Sequence, residues 1–382
     1  MKLNEICEVY SGYALKAFND AEDGLPVVKI GNILTDGTLN LEECQYTTDS
    51  VNEKYYSQRG DIYIALSGAT TGKIGIMDTG EKYVINQRVG IVRQKSDDVP
   101  QEYIKFFLLR QTDRILQEAA GCAQPNISPK QIAEYVIPDT SQEKMQEICE
   151  VLDRIKKIID SRKAEISALD DLIKARFVEM FGDAVDNPMG WEKKQLQEIV
   201  TDECSISYGI VQTGNDQEKG VPVFRPIDIV NRIPKLEELK RTTEEISNKY
   251  KRTILKGHEM LITVRANIAD TCIVGEEFKG CNVGRGIVPI RTQENIMVLE
   301  FLKYLMDSKH LNDDIKSKAK GITLIQLNME DLREVELIIP PIEQQKIFVK
   351  FAEQVDKSKV AVQKALEQTQ TLFDSLMQKY FG

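Results

Sequence analysis

The side chains that could carry chemistry in this chain of 382 residues are few and scattered. Two histidines, His258 and His310, stand far apart without Cys-x-x-Cys partners, which argues against a zinc site. Seven cysteines (Cys7, Cys44, Cys122, Cys149, Cys204, Cys272, Cys281) occur singly. An odd count, with no apolar leader after Met1-Lys2-Leu3-Asn4-Glu5, suits reduced thiols in a cytoplasm. Gly68, Gly72 and Lys73 resemble a phosphate loop, but the spacing is one residue short and Ile74 stands where Ser or Thr is needed. Asn187-Pro188-Met189 lacks the second proline and the aromatic of the amino-methyltransferase motif, and it follows a helix-ending glycine rather than a strand. No Ser, Cys or Thr has a matched histidine base. No pair of carboxylates is set apart for acid–base work. The side chains therefore describe a non-catalytic protein with no metal or cofactor of its own.

The elements that position these residues come twice. Ile137-Pro138 leads through Gln142-Glu143-Lys144 into a long helical pattern ending at Phe181-Gly182; Ile339-Pro340 leads through Gln344-Gln345-Lys346 to Phe381-Gly382. Ahead of each lies a mixed α/β segment. In the first, Pro26–Ile30, Asp61–Leu66, Tyr83–Ile85 and Val89–Val92 are short β-branched or aromatic runs, which predicts strands. Residues Gln101–Ala120 have helical spacing, and Tyr135–Ile137 is a closing strand. Landmarks recur in order in the second. Gly24-Leu25-Pro26-Val27 matches Gly220-Val221-Pro222-Val223, Asn52–Tyr55 matches Ser247–Tyr250, and Gly60 matches Gly257. Asn86 matches Asn282, Gly90-Ile91-Val92 matches Gly286-Ile287-Val288, and Gly121 matches Gly321. The loop Ser67–Lys73 stands opposite Val264–Asp270 with different residues. Two specificities on one scaffold and plain drift of solvent loops both account for that difference.

Both long helices carry a seam spaced alternately by four and three. It runs Ile148, Leu152, Ile155, Ile159, Ile166, Leu169 and Ile173 in one, and Val355, Val362, Leu366, Phe373 and Leu376 in the other. Arg162, Arg176, Lys359 and Thr369 are polar interruptions. A sustained 3.5-residue repeat predicts a coiled coil; a loosely amphipathic helix with a solvated edge is the alternative. Thr140 and Glu143 have capping-box spacing at the start of the first helix. Connectivity requires the two helices to run antiparallel, with one α/β segment at each end, a pseudo-two-fold axis, and Met1 near Gly382. The seam spans about 50 Å. The predicted fold is α+β: residues 1–138, a helix over 139–182, residues 183–339, and a helix over 340–382.

Charge constrains partners. The net charge is −10, with 42% hydrophobic and 29% charged residues, as in an ordinary globular protein. No run of about 18 apolar residues predicts a membrane span. Divided at the repeat boundaries, no segment is strongly basic, so the usual electrostatic footprint of a DNA-binding domain is absent.

Taken together, Ile339-Pro340-Pro341-Ile342-Glu343-Gln344-Gln345-Lys346, its degenerate twin Ile137–Lys144, Ala175–Asp183 leading into Asn187–Trp191, and Arg59–Ile64 resemble the DNA specificity subunit of type I restriction–modification systems. The match runs in order over essentially the whole chain; the first copy departs at Asp139 and Ser141. The resemblance implies two target-recognition domains, each reading one half of a bipartite, usually asymmetric double-stranded DNA target. It implies that the helices dock two methyltransferase subunits, which bring S-adenosylmethionine and methylate adenine, and that a motor–nuclease subunit completes the restriction complex. Half-site centres about 10–15 base pairs apart suit a seam of that length. Loop residues able to donate or accept at base edges are the expected DNA contacts. In the first domain these are Tyr13, Lys16, Ser67, Thr70, Thr71, Lys73, Asn86, Arg88, Gln124 and Asn126. In the second they are Tyr208, Gln212, Thr213, Arg225, Arg265, Asn267, Asn282, Arg285, Lys320, Thr323 and Gln326. The competing readings are a non-catalytic coiled-coil scaffold with two protein-binding modules, and an enzyme with an unrecognised site.

Overall fold

The computed structural model describes residues 1–20, 23–120, 125–229, 234–321 and 325–382. They form two compact units: Met1–Ala164 with Gln363–Gly382, and Glu165–Val362. In chain order the first unit contains α1 (Leu3–Ile6), β1 (Cys7–Ser11), β2 (Leu25–Val28), β3 (Gln45–Thr47), β4 (Ile62–Ala65), β5 (Ile74–Ile76), β6 (Val84–Ile85), β7 (Val89–Gln94), α2 (Gln101–Arg110), α3 (Thr112–Ala119) and α4 (Pro129–Ala133). Next comes α5 (Gln142–Phe181), which crosses into the second unit. There follow β8 (Glu192–Gln195), α6 (Leu196–Ile199), β9 (Val221–Phe224), β10 (Lys240–Thr242), α7 (Glu244–Asn248), β11 (Glu259–Thr263), β12 (Thr271–Val274), β13 (Asn282–Val283) and β14 (Ile287–Ile290). The chain closes with α8 (Leu299–Asp307), α9 (Lys309–Ser317), α10 (Met329–Arg333), β15 (Glu336–Ile339) and α11 (Ile342–Phe381).

In the first unit an antiparallel sheet has the order β1-β7-β4-β5, and a second has β3-β2-β6 with β2 and β6 parallel. The second unit repeats this as β12-β11-β14 and β10-β9-β13, with β9 and β13 parallel, and adds the pair β15-β8. The reason lies in the alternation of β4. Its residues are all buried, yet they feed two cores. Ile62 and Ile64 pack with Tyr103, Phe107 and Leu152; Tyr63 and Ala65 pack with Val28, Ile85 and Ile91. A strand buried on both faces reads as a continuous apolar run. β11 does the same, with Met260 and Ile262 in one core and Leu261 in another.

Each unit also contains part of both long helices. In the first, Met145, Ile148 and Leu152 of α5 share a core with Met377 and Phe381 of α11, and Tyr103 meets Phe381 edge-on at 4.9 Å. In the second, Phe177 and Phe181 of α5 pack on Phe348 of α11 and Phe301 of α8, with Phe181 4.8 Å from Phe301. Of the expected seam, Ile148, Leu152, Ile155, Ile159, Ile173 and Val355 are buried, while Ile166, Leu169, Val362, Leu366, Phe373 and Leu376 are half-buried. Of the polar interruptions, Arg176 pairs with Glu179 on its own helix, while the others find partners across the pair. Arg162 donates to the Ala365 carbonyl and the Thr369 hydroxyl, and Lys359 pairs with Asp170. Lower numbers on one helix thus meet higher numbers on the other, so within each unit the two run antiparallel. Gly182 and Gly382 close the helices by donating to the carbonyls of Val178 and Gln378; Gly182 has φ 74°, the left-handed stop that glycine supplies freely.

Several sequence expectations shift. The cap of α5 is Ser141, whose hydroxyl accepts from the Lys144 amide at 3.3 Å, one residue later than the Thr140 spacing predicts. Gln101–Ala120 is two helices broken at Gln111. Val136 makes an isolated bridge to Lys2 rather than a strand. The repeat registers also move. Ile62 pairs with Val92 as Met260 pairs with Ile290, so Gly90 corresponds to Val288 and Asn86 to Gly284, two residues from the motif match. Lys2 bridges Val136 as Gln195 pairs with Glu336, so Ile137 corresponds to Leu337 and not to Ile339. Asn52 and Tyr250 both precede a short 3-10 turn, so Asn52–Tyr55 does not correspond to Ser247–Tyr250. Between β10 and that turn the second unit is longer than the first, and α7 occupies the longer segment.

Candidate nucleic-acid interface

Two glycines set up equivalent surfaces. In the first unit Gly12 crosses β6 so closely that a Cβ would lie 2.3 Å from the Ile85 carbonyl oxygen. Past it, the Tyr13 amide donates to Ile85 at 2.8 Å and the Tyr13 carbonyl accepts from Gln87 at 2.8 Å. The chain then turns, with the Asn86 side chain accepting from the Arg88 amide at 3.1 Å. The Arg88 carbonyl accepts from the Leu66 amide at 2.9 Å, and Ser67 bridges Asn126. Tyr13, Gln87, Arg88, Ser67 and Asn126 are therefore backbone neighbours in sequence along one edge. The second unit repeats the backbone steps. Gly209 crosses β13, a Cβ there lying 2.0 Å from the Val283 oxygen; Ile210 pairs with Val283 and Arg285; Val264 donates to Gly286 at 2.8 Å; Arg265 bridges Gln326.

A buried ion pair braces the strands behind each edge. Asp61, its side chain 1% exposed, accepts from Arg93 Nε at 2.8 Å and Nη2 at 2.6 Å and from the Gln58 amide at 2.8 Å. Glu259, 0% exposed, accepts from Arg291 Nη1 at 2.9 Å and from the Lys256 amide at 2.6 Å. Neither pair was singled out from sequence. The signal was present: an acid at the start of one strand and an arginine at the end of the strand beside it, in both repeats.

The loops between these strands differ in detail. Ser67–Lys73 has glycines in the left-handed region at Gly68, φ 86°, and Gly72, φ 84°. The second loop has alanines there, Ala266 at φ 61° and Ala269 at φ 65°. Register places Arg265, not Val264, opposite Ser67, and Gln326 opposite Asn126. Arg265 Nη2 donates to Gln326 Oε1, and Gln326 Nε2 donates to the Tyr208 hydroxyl. The Arg265 Nε is buried and has no partner among the described residues.

The other expected contacts fall into groups. Lys16, Arg88, Asn126, Gln212, Asn267, Arg285 and Lys320 are exposed, and Lys320 lies 3.6 Å from Asp331. Tyr13, Ser67, Thr70, Lys73, Tyr208, Thr213, Arg265 and Gln326 are half-buried; the Tyr13 ring sits 5.2 Å from that of Tyr55. Gln124 and Thr323 lie outside the described residues. Asn282 must be withdrawn. It is 0% exposed, its oxygen accepts from Thr253 at 2.7 Å, and its amide donates to Ser247 at 3.0 Å, so it holds the core together. Asn86 and Thr71 are also buried: Asn86 holds its turn, and the Thr71 hydroxyl donates to Gly68 at 2.7 Å. Arg225 is committed to Asp228, to which it donates at 3.0 and 2.8 Å, and these hydrogen bonds hold its guanidinium pKa above the ordinary value. Away from the edges, His310 stands with Asp183 and Asp186, ligand atoms within 4.8 Å, but the imidazole is already paired with Asp183 on an exposed surface.

Each unit also has a cleft walled by α5 and α11. That of the second, about 1060 Å³, has Ile173, Phe177 and Val349 on its floor and Asp183, Asp307, Asp313, Glu353 and Asp356 among its lining. That of the first, about 660 Å³, has Lys105, Arg110, Lys156, Lys163, Asp36, Asp113 and Asp374 among its lining, together with Phe373 and Met377. Among the described residues no helix is long and apolar enough to cross a membrane.

Two copies of one scaffold that keep their crossings and braces while changing edge residues define a duplicated recognition protein. The chain belongs to the type I restriction modification DNA specificity domain family, whose model matches residues 1–170 and again 188–369. It is similar to the EcoBI type I restriction enzyme specificity subunit of Escherichia coli, 23% identical over 100% of this chain and 85% of that one. It is also similar to the putative MjaX type I specificity subunit of Methanocaldococcus jannaschii, 22% identical over 97% and 91%. Among solved structures it shares its fold with the type I S subunit of M. genitalium, at TM-score 0.56, 15% identity, and coverage of 100% and 95%. A chain from a study of complex assembly in the type I system gives TM-score 0.61, 17% identity, and coverage of 100% and 96%. The protein is thus a non-catalytic DNA specificity subunit of a type I restriction–modification system, with a recognition domain in each half.

Proposed function

We propose that the edge Tyr13–Gln87–Arg88–Ser67–Asn126 reads one half of a bipartite DNA target, and that Ile210–Arg285–Arg265–Gln326, with Tyr208 and Lys320, reads the other. The supporting observation is the retained backbone path combined with changed edge chemistry: Ser67 and Asn126 are replaced by Arg265 and Gln326. Lys16, Thr70, Lys73, Gln212, Thr213 and Asn267 flank these edges as secondary contacts. The net charge of −10 fits a chain that supplies base readout while partners supply much of the phosphate neutralisation.

Those partners are two methyltransferase subunits, docked on the long helices α5 and α11. S-adenosylmethionine is theirs, and a motor–nuclease subunit completes the restriction complex in the cytoplasm. The test is modified-base mapping of DNA from cells with and without this chain. A two-part methylated motif that disappears with the chain supports the reading; an unchanged methylome refutes it.

A further inference from the structure

The second edge has a chemistry that the first lacks. Arg265 offers only donors. One hydrogen of its Nη2 goes to the Gln326 oxygen, which fixes the amide so that Gln326 Nε2 points to the Tyr208 oxygen. A tyrosine oxygen that accepts in this way keeps its own O–H free to donate. The Arg265 Nη hydrogens that Gln326 does not take, together with the Tyr208 hydroxyl, therefore form a donor-rich surface. Two further observations mark the place. Ala266 and Ala269 hold the left-handed backbone that costs alanine about 1–2 kcal/mol each, and such strain concentrates at functional loops. Arginine is also kept at this spot by different means. In the first unit it is Arg88, beside Ser67; in the second the position of Arg88 is Gly286, where a Cβ would lie 3.4 Å from the Arg265 Cβ, and the arginine stands instead in the loop that follows β11.

We propose that Arg265 reads a guanine in one half-site, with Gln326 and Tyr208 as its positioning residues. In the major groove guanine presents two adjacent acceptors, N7 and O6, whereas adenine and cytosine both present a donor that a guanidinium, which has no acceptor, cannot satisfy. This rests on the proposed DNA reading of the second edge, and the experiment separates the two. The full chain with its methyltransferase partner is expressed carrying Arg265→Ala, Arg265→Gln, Gln326→Ala or Tyr208→Phe, and the methylated motif is mapped. The expected result is a guanine at one position of the wild-type motif. Arg265→Ala makes that position degenerate, with a roughly tenfold or greater loss of preference, while every other position is kept. Arg265→Gln moves the same position towards adenine, a gain that an unfolded chain cannot show. Gln326→Ala and Tyr208→Phe relax the same position by less and leave the rest of the motif alone, which a general structural role would not do. An unchanged motif in the Arg265 variants, or an even loss across all positions with no shift in Arg265→Gln, overturns the guanine assignment. A wild-type complex that methylates no specific sequence overturns the DNA reading itself.

Discussion

Replacing Arg93 by methionine leaves Asp61 with a 1% exposed side chain and no counter-charge. The cost follows from burial. Exposed ion pairs contribute about 0–1 kcal/mol, but removing one partner of a buried pair costs about 3–5 kcal/mol because the remaining charge is stranded. The Arg93 side chain is itself 13% exposed and grips Asp61 with two nitrogens, which puts this pair in the second class. The unit that contains it has about 180 residues, for which each kcal/mol moves the melting temperature by roughly 2–4 °C. Arg93→Met should thus lower the transition of the first unit by about 10 °C. Differential scanning calorimetry of the purified chain is the assay, because two units can melt separately. The control is Asp61→Leu with Arg93→Met. An apolar replacement of the whole pair is often neutral, so the double variant should recover most of the loss. A single variant that melts within about 2 °C of the parent, or a double variant no better than the single, refutes the account of these residues as a brace.

Further outcomes follow from the same geometry. Ala266→Gly relieves left-handed strain at an exposed position against glycine's greater unfolded-state entropy, so it should stabilise the second unit by up to about 1 kcal/mol in urea denaturation. Burial pushes the Cys281 thiol from 9.0 up to about 11, and those of Cys7, Cys149 and Cys272 up to about 12. The folded state then keeps protons that the unfolded state gives up above pH 9, so stability should fall as pH rises from 9 towards 11, and Cys281→Ala should flatten that slope in melting curves. Inserting one matched heptad into α5 and α11 adds about 10 Å of helix, or about three base pairs. The non-specific spacer in the methylated motif should lengthen by that amount while both half-sites stay the same; an unchanged spacer shows that helix length does not set it.

The repeat, the strand runs and both long helices were legible in the primary structure because burial imposes a period on each. The errors of register have the same origin. Gly90-Ile91-Val92 and Gly286-Ile287-Val288 look equivalent, yet β4 pairs Ile62 with Val92 where β11 pairs Met260 with Ile290. A slip of two residues leaves each side chain on its own face of a sheet, so the alternating pattern cannot detect it; only a slip of one would reverse the faces. The match of Ile137-Pro138 to Ile339-Pro340 fails by two residues for the same reason, and Asn52–Tyr55 against Ser247–Tyr250 fails by three, close to one turn of the inserted α7. Pairings between side chains distant in sequence have no period at all. That is why Asp61 with Arg93, and Arg265 with Gln326 and Tyr208, emerge only once the strands are aligned. Asn282 was misread because a motif equated it with Asn86 across such a slip. Once the register is corrected, the residue opposite Asn86 is Gly284, and Arg265 takes the place opposite Ser67 from which a donor-rich edge can be built.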